Sequence, residues 1–169
     1  MRDEYWTERR NLTYYQEVRR LLEELGPMHS ILDIGSGGTP VATWGDFSNR
    51  YAVDQDPCQS WPGVSFYQCE WVKFDCPNVD VITCLQVMEH LEDYQQVLDF
   101  SNKIAEHCRI AIISVPYEWP QGVCQYHPMD PIDFMDLQYF STGDWLSYKL
   151  CTDEGMGRSV LMTKGNLYD

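Results

Sequence analysis

Apolar residues begin at helical spacing and then bunch into short continuous blocks, and that change of period outlines the fold. Val18, Leu21, Leu22 and Leu25 fall three and four positions apart, with Glu17, Arg19, Arg20, Glu23 and Glu24 on the opposite face. Tyr5 to Leu25 therefore reads as a leading helix, stopped by Gly26 and Pro27. Within it Tyr14 and Tyr15 are adjacent. A helix turns neighbours to different directions, so either one packs and the other is exposed, or this helix lids a site. Beyond it the apolar runs become strands: Ile31 to Ile34, Arg50 to Asp54, a short one around Val64 to Phe66, Val79 to Leu85 and Arg109 to Val115. Such runs suit strands buried on both faces. Val41, Trp44 and Phe47 leave room for a short helix between Pro40 and Arg50. A longer helix opens at Gln86 and continues through Val97, Leu98 and Ile104 to about Cys108. A short helix over 133–137 and two strands, Trp145 to Cys151 and Ser159 to Thr163, complete the chain. The Gly-rich stretch between those strands, Asp153 to Gly157, makes them a hairpin.

The chemistry gathers at the end of the first strand, in Asp33-Ile-Gly35-Ser36-Gly37-Gly38-Thr-Pro40. Glycines there permit positive φ and close approach of a ligand to the backbone. Asp54 ends the next strand, 21 positions after Asp33. Strand, glycine loop, helix, strand and acid is the order of a nucleotide-binding half-sheet, whose acid holds ribose hydroxyls. A dinucleotide fingerprint wants Gly or Ala at Pro40, and the charge of Asp33 would repel a pyrophosphate. These two features argue against a nicotinamide-dependent oxidoreductase. An acidic strand tip suits a cofactor with a sulfonium, an ammonium and no phosphate.

The run from Asp33 to Gly38 resembles the first motif of the class I S-adenosylmethionine-dependent methyltransferases, with its third glycine one position early. Asp80 through Glu89-His90-Leu91 is similar to the fourth-strand signature of the small-molecule group that includes the ubiquinone-biosynthesis O-methyltransferases. That resemblance implies one α/β domain over 1–169, with a doubly wound, mostly parallel seven-stranded sheet ending in an antiparallel hairpin. Residues 1–27 would be the leading helix, 30–115 the cofactor core and 116–169 the acceptor loop and hairpin. It implies S-adenosylmethionine as cofactor, leaving S-adenosylhomocysteine. Asp33, Gly35, Ser36, Gly37 and Gly38 would hold its methionyl end, Asp54 its ribose, and Gln68 and Cys69 its adenine rim, with Gln55 also among the cofactor-binding residues. Leu85 and Gln86 would border the reacting methyl. In this group an acid commonly stands at the position of Gln68.

On the acceptor side, His90 has the right basicity to take a proton from a hydroxyl, and the alternative is a packing or capping histidine. Glu89 reads as structural, favoured by a helix dipole. Tyr117, Glu118 and Trp119 follow the fifth strand and would project toward the acceptor with Tyr14 or Tyr15 as the facing wall. The long loop through His127 to Pro131 has the character of a lid, and His127 is a second candidate base. Glu118 and His127 have no regular ligand spacing, and no metal site is expected.

Charge narrows the partners. Twelve Lys and Arg stand against 26 Asp and Glu, a formal net charge of −14. Sequence-independent binding to nucleic acid or to an anionic membrane needs basic surface, so neither is expected. The N-terminus is polar and no apolar run approaches a membrane span, which predicts a cytoplasmic protein. Seven cysteines form no Cys-x-x-Cys pair and read as buried reduced thiols. The function these features imply is methyl transfer to an oxygen or nitrogen of a small-molecule or glycan-like acceptor. The alternative is a non-catalytic partner subunit of the same fold, favoured by the short crossover after Asp54 and by Gln68. Oligomeric state is left open.

Overall fold

A computed structural model describes residues 2–58 and 60–167, with side chains from Tyr5 onward. Gln59, in the crossover after Asp54, lies outside the described residues, as do the two C-terminal positions included in the expected domain. Seven strands form one sheet: β1 (Met28–Ile34), β2 (Phe47–Asp54), β3 (Ser65–Gln68), β4 (Val79–Leu85), β5 (Cys108–Tyr117), β6 (Trp145–Asp153) and β7 (Met156–Lys164). Their order is β3-β2-β1-β4-β5-β7-β6. The first five are parallel, and β7 runs antiparallel between β5 and β6. This is the expected doubly wound sheet with its closing hairpin. Central β1 pairs with both β2 and β4, so the order reverses beside it. Ligands in such sheets bind beyond the strand C-termini at that reversal.

Alternate residues of the central strands face opposite layers. Ile31, Val81, Ile112 and Val160 pack under helix α2 (Thr13–Glu24) with Tyr14, Val18 and Leu22. Leu32, Ile82, Ile113 and Leu161 pack against Val97, Phe100 and Ile104 of α3 (Tyr94–His107) and Phe140 of α4 (Leu137–Phe140). Burying each such aliphatic side chain contributes about 1.5–3 kcal/mol.

Several elements differ from the sequence reading, each for a physical reason. The leading helix is two, α1 (Arg2–Arg9) and α2. The break at Leu12 is capped from afar: Asp153, in the hairpin, accepts the Thr13 N–H at 3.0 Å and its hydroxyl at 2.9 Å. Between Pro40 and Arg50 only one 3-10 turn forms, Val41–Thr43. The Arg50 guanidinium donates instead to the carbonyls of Ala42, Trp44 and Gly45. The helix expected from Gln86 is delayed. Met88–His90 is a separate 3-10 turn, and α3 starts where Asp93 accepts the Gln96 N–H at 2.9 Å. The late short helix lies at Leu137–Phe140 rather than over 133–137. Cys76, Cys84, Cys108 and Cys151 are buried free thiols; Cys58, Cys69 and Cys124 are half-buried. No helix among the described residues is long and apolar enough to cross a membrane.

Candidate functional site

The glycine loop follows β1 as a chain of left-handed residues, with φ of 65° at Gly35, 54° at Gly37 and 77° at Gly38. Asp54 holds it from the neighbouring strand. Its Oδ2 accepts the Gly37 N–H at 2.8 Å and its Oδ1 accepts the Asp56 N–H at 2.9 Å. The glycines serve different ends. A Cβ on Gly35 would meet Val87 at 2.4 Å, whereas one on Gly37 would meet nothing closer than 3.9 Å, where the Tyr5 ring of α1 lies. The protein's own packing thus leaves the space over Gly37 open.

Asp33 lies beneath this loop, 2% exposed. Its Oδ1 accepts the Thr83 hydroxyl at 2.6 Å, and its Oδ2 has no hydrogen-bond partner among the described residues. Burial raises its pKa to about 7 and the charge of Asp54 adds to the rise, against the opposing pull of the Thr83 and Thr39 hydroxyls. A buried, half-satisfied carboxyl at a strand tip is the kind of group that a cationic ligand would stabilise.

A cavity of about 630 Å³ opens beside the loop. Of the residues expected to hold a cofactor, Gly35, Asp54, Gln55, Cys69 and Gln86 line it. Trp71 and Val72 form a wall that takes the place of a crossover helix. Lys103 of α3 fastens that wall by donating to the carbonyls of Trp71, Val72 and Phe74. Gln86 has φ of 56°. Its amide donates to the Ser114 hydroxyl at 3.0 Å and its backbone N–H to the Ser114 carbonyl at 2.7 Å. A non-glycine residue held in that conformation at a strand end is a mark of functional sites. Asp33, Ser36, Gly38 and Leu85 are buried around the loop rather than in the cavity wall, and half-buried Gly37 also stands outside that wall. Gln68 is exposed outside it, where its amide reaches the Gln55 carbonyl at 3.4 Å.

The expected aromatic wall is not part of this cavity. Tyr14 and Tyr15 are both buried, 1% and 3% exposed, with ring centroids 4.2 Å apart. The expectation that one would be exposed fails because Trp6 of α1 and Trp44 roof Tyr15. Tyr117 is half-buried and Glu118 exposed at φ of 52°, and neither lines the cavity. Tyr14 and Trp119 do converge, on Arg158: its guanidinium carbon lies 5.3 Å from the Tyr14 ring centroid and 4.9 Å from that of Trp119. The Trp119 indole donates to the Gly157 carbonyl at 2.7 Å and its ring stacks on His127 at 5.6 Å.

The two candidate bases are neighbours. His90, exposed and lining the cavity, has its ring centroid 4.8 Å from that of His127, which is 8% exposed. His127 Nδ1 lies 3.1 Å from Asp130 Oδ2, and His90 Nδ1 lies 2.9 Å from the Tyr126 carbonyl. Burial holds His127 below the usual histidine range, so it is neutral near pH 7. Glu89, buried beside them, is raised to about 8 by desolvation. Sequence reading left Glu89 as structural and did not single out Asp130, Arg158 or Thr83. The His127-x-x-Asp130 spacing was the one local signal available.

No protein-family model matches the chain, and no curated protein does. Solved structures do. The N-methyltransferase NodS from Bradyrhizobium japonicum WM9, in complex with S-adenosylhomocysteine, superposes with a TM-score of 0.73 at 12% identity, covering 90% of this chain and 86% of that one. Magnesium protoporphyrin IX methyltransferase from Synechocystis PCC 6803 gives 0.64 at 12% identity, over 90% and 84%. The small RNA methyltransferase HEN1 gives 0.68 at 17% identity, over 90% of this chain but 25% of that one. By their names these proteins act on unlike acceptors, so the shared architecture does not select one. The order of strands, the closing hairpin and these superpositions give this chain the class I methyltransferase fold.

Proposed function

We propose that the chain is an S-adenosylmethionine-dependent methyltransferase acting on an oxygen or nitrogen of a small-molecule or glycan-like acceptor. The observation that carries this reading is the open space over Gly37, braced by Asp54 and underlain by the half-satisfied carboxyl of Asp33. When bound, the cofactor supplies a methyl group on a sulfonium. Asp33 stabilises the positive end, and the Asp54 oxygens each keep a lone pair for ribose hydroxyls beyond the N–H they already accept. Cys69 and Trp71 bound the adenine side of the cavity, and Gln86 its reacting side. Orientation of cofactor and acceptor supplies most of the acceleration. We assign His90, on the cavity wall, and His127 beside it as the candidate groups to take up an acceptor proton.

Calorimetric titration with S-adenosylmethionine tests this. The parent should bind one equivalent, and Gly37→Val should stay folded by circular dichroism yet lose binding, since its side chain fills the open space. A parent that binds neither S-adenosylmethionine nor S-adenosylhomocysteine, or a folded Gly37→Val that binds like the parent, overturns the proposal.

A further inference from the structure

We propose that Glu89, His90 and His127 form a site for a borderline first-row divalent cation such as Co²⁺, Ni²⁺ or Zn²⁺. One donor atom of each lies within 4.8 Å of the others. Around a cation with bonds of about 2.1 Å the donors stand about 3–3.5 Å apart, so the set must draw in by about 1–2 Å to close on an ion. Two of the three come from one 3-10 turn after β4 and the third from the loop after β5.

Three further observations point to a ligand. Glu89 is 1% exposed and its Oε2 has no hydrogen-bond partner among the described residues. A carboxyl oxygen buried and left unpaired is costly unless something charged completes it. The histidines are arranged for ligation as well. A carbonyl can only accept, so the Tyr126 contact assigns the His90 proton to Nδ1 and leaves the Nε2 lone pair available. Asp130 Oδ2, as the acceptor of the 3.1 Å contact, does the same for His127. An imidazole whose outer nitrogen donates to a carboxylate or a carbonyl is the usual form of a metal-bound histidine. Finally, the two rings meet edge to face with centroids 4.8 Å apart, close enough for one ion to reach a nitrogen of each. Two imidazoles and one carboxylate favour borderline ions over Mg²⁺ and Ca²⁺, which prefer all-oxygen sets.

Three protein ligands leave positions open, and His90 also lines the cavity. This part of the inference rests on the methyltransferase reading: an acceptor oxygen would occupy an open position, which favours a hydroxyl over an amine as the atom methylated. A bound cation lowers the pKa of such a hydroxyl and fixes its direction. His90 and His127 would then position the acceptor through the cation and not act as bases.

The test titrates the chelator-stripped full chain with CoCl₂, by calorimetry and visible absorption. One equivalent should bind with d–d bands of a nitrogen-containing site. His90→Ala, on an exposed side chain, and Glu89→Gln should each lose this binding. Asp130→Asn should weaken it about 10–100-fold. S-adenosylmethionine, titrated in parallel, should still bind His127→Ala, because His127 is outside the cavity wall. Absence of Co²⁺ binding, or binding that His90→Ala and Glu89→Gln leave unchanged, overturns the cation site. Failure of S-adenosylmethionine to bind the parent instead sinks the methyltransferase reading and leaves the cation result standing.

Discussion

The two halves of the site are built from different material. The half we propose for the cofactor is backbone: three glycines at positive φ, one strand end, and two carboxylates within 21 positions of each other in sequence. The half we propose for the acceptor is side chain: Glu89 and His90 from one loop, His127 and Asp130 from another, and Arg158 from the hairpin, with aromatic rings between them. Backbone architecture tolerates few residue types and therefore leaves a local signature. A side-chain cluster assembled by folding leaves none at any fixed spacing, and it can be re-equipped without disturbing the sheet. That difference fits the unlike acceptors named for proteins of this fold.

Within the backbone half, the contrast between Gly35 and Gly37 breaks most sharply. Gly35→Val forces a Cβ to 2.4 Å from Val87 at a φ of 65°, combining overpacking with left-handed strain. The expected loss is about 2–5 kcal/mol, read as a fall in the denaturation midpoint. Gly37→Ala meets open space and should lose only the strain, about 1–2 kcal/mol. Equal losses at the two positions would show that packing does not distinguish them.

Asp33 gives the next largest effect, and its sign is set by burial. Its folded pKa, about 7, exceeds the ordinary 3.8. As pH rises between those values the unfolded chain ionises first, so stability falls with pH and levels off above about 7. At about 1.4 kcal/mol per pKa unit the penalty reaches up to about 4 kcal/mol. Asp33→Asn should match the parent near pH 4 and exceed it by up to that amount near pH 8, in urea unfolding followed at both. A parent and variant with parallel pH profiles would remove Asp33 as the strained group.

Asp54→Ala removes the brace of Gly37 and a ribose acceptor together. S-adenosylmethionine affinity should fall by about 1.5–3 kcal/mol, the scale of bonds to a charged group, by calorimetry. Unchanged affinity would return the loop to a purely structural role. The smallest effect belongs to the side-chain half. Trp119→Phe keeps a ring against His127 and Arg158 but loses the 2.7 Å bond to the Gly157 carbonyl. A loss of about 1 kcal/mol in stability is expected, with cofactor affinity intact. A drop in cofactor affinity would instead tie the two halves together.

The sequence by itself determined the parallel strands, the closing hairpin, the glycine loop and the acid at Asp54. Each rests on short-range physics: continuous apolar runs for strands buried on two faces, glycine for positive φ, and a carboxylate at a strand end. Only the tertiary structure decided the rest. The leading helix breaks at Leu12 because Asp153, 140 positions after Thr13, caps the second half. The segment after Pro40 stays irregular because Arg50 takes its carbonyls. Tyr14 and Tyr15 are both buried because α1 folds back over them. Glu89, which reads as a structural acid in the chain, stands beside His127 because β4 and β5 are neighbours in the sheet and their following loops meet beyond it. Hydrogen-bonding and charged side chains act across whatever the fold brings within a few ångströms, and sequence spacing carries no record of that distance.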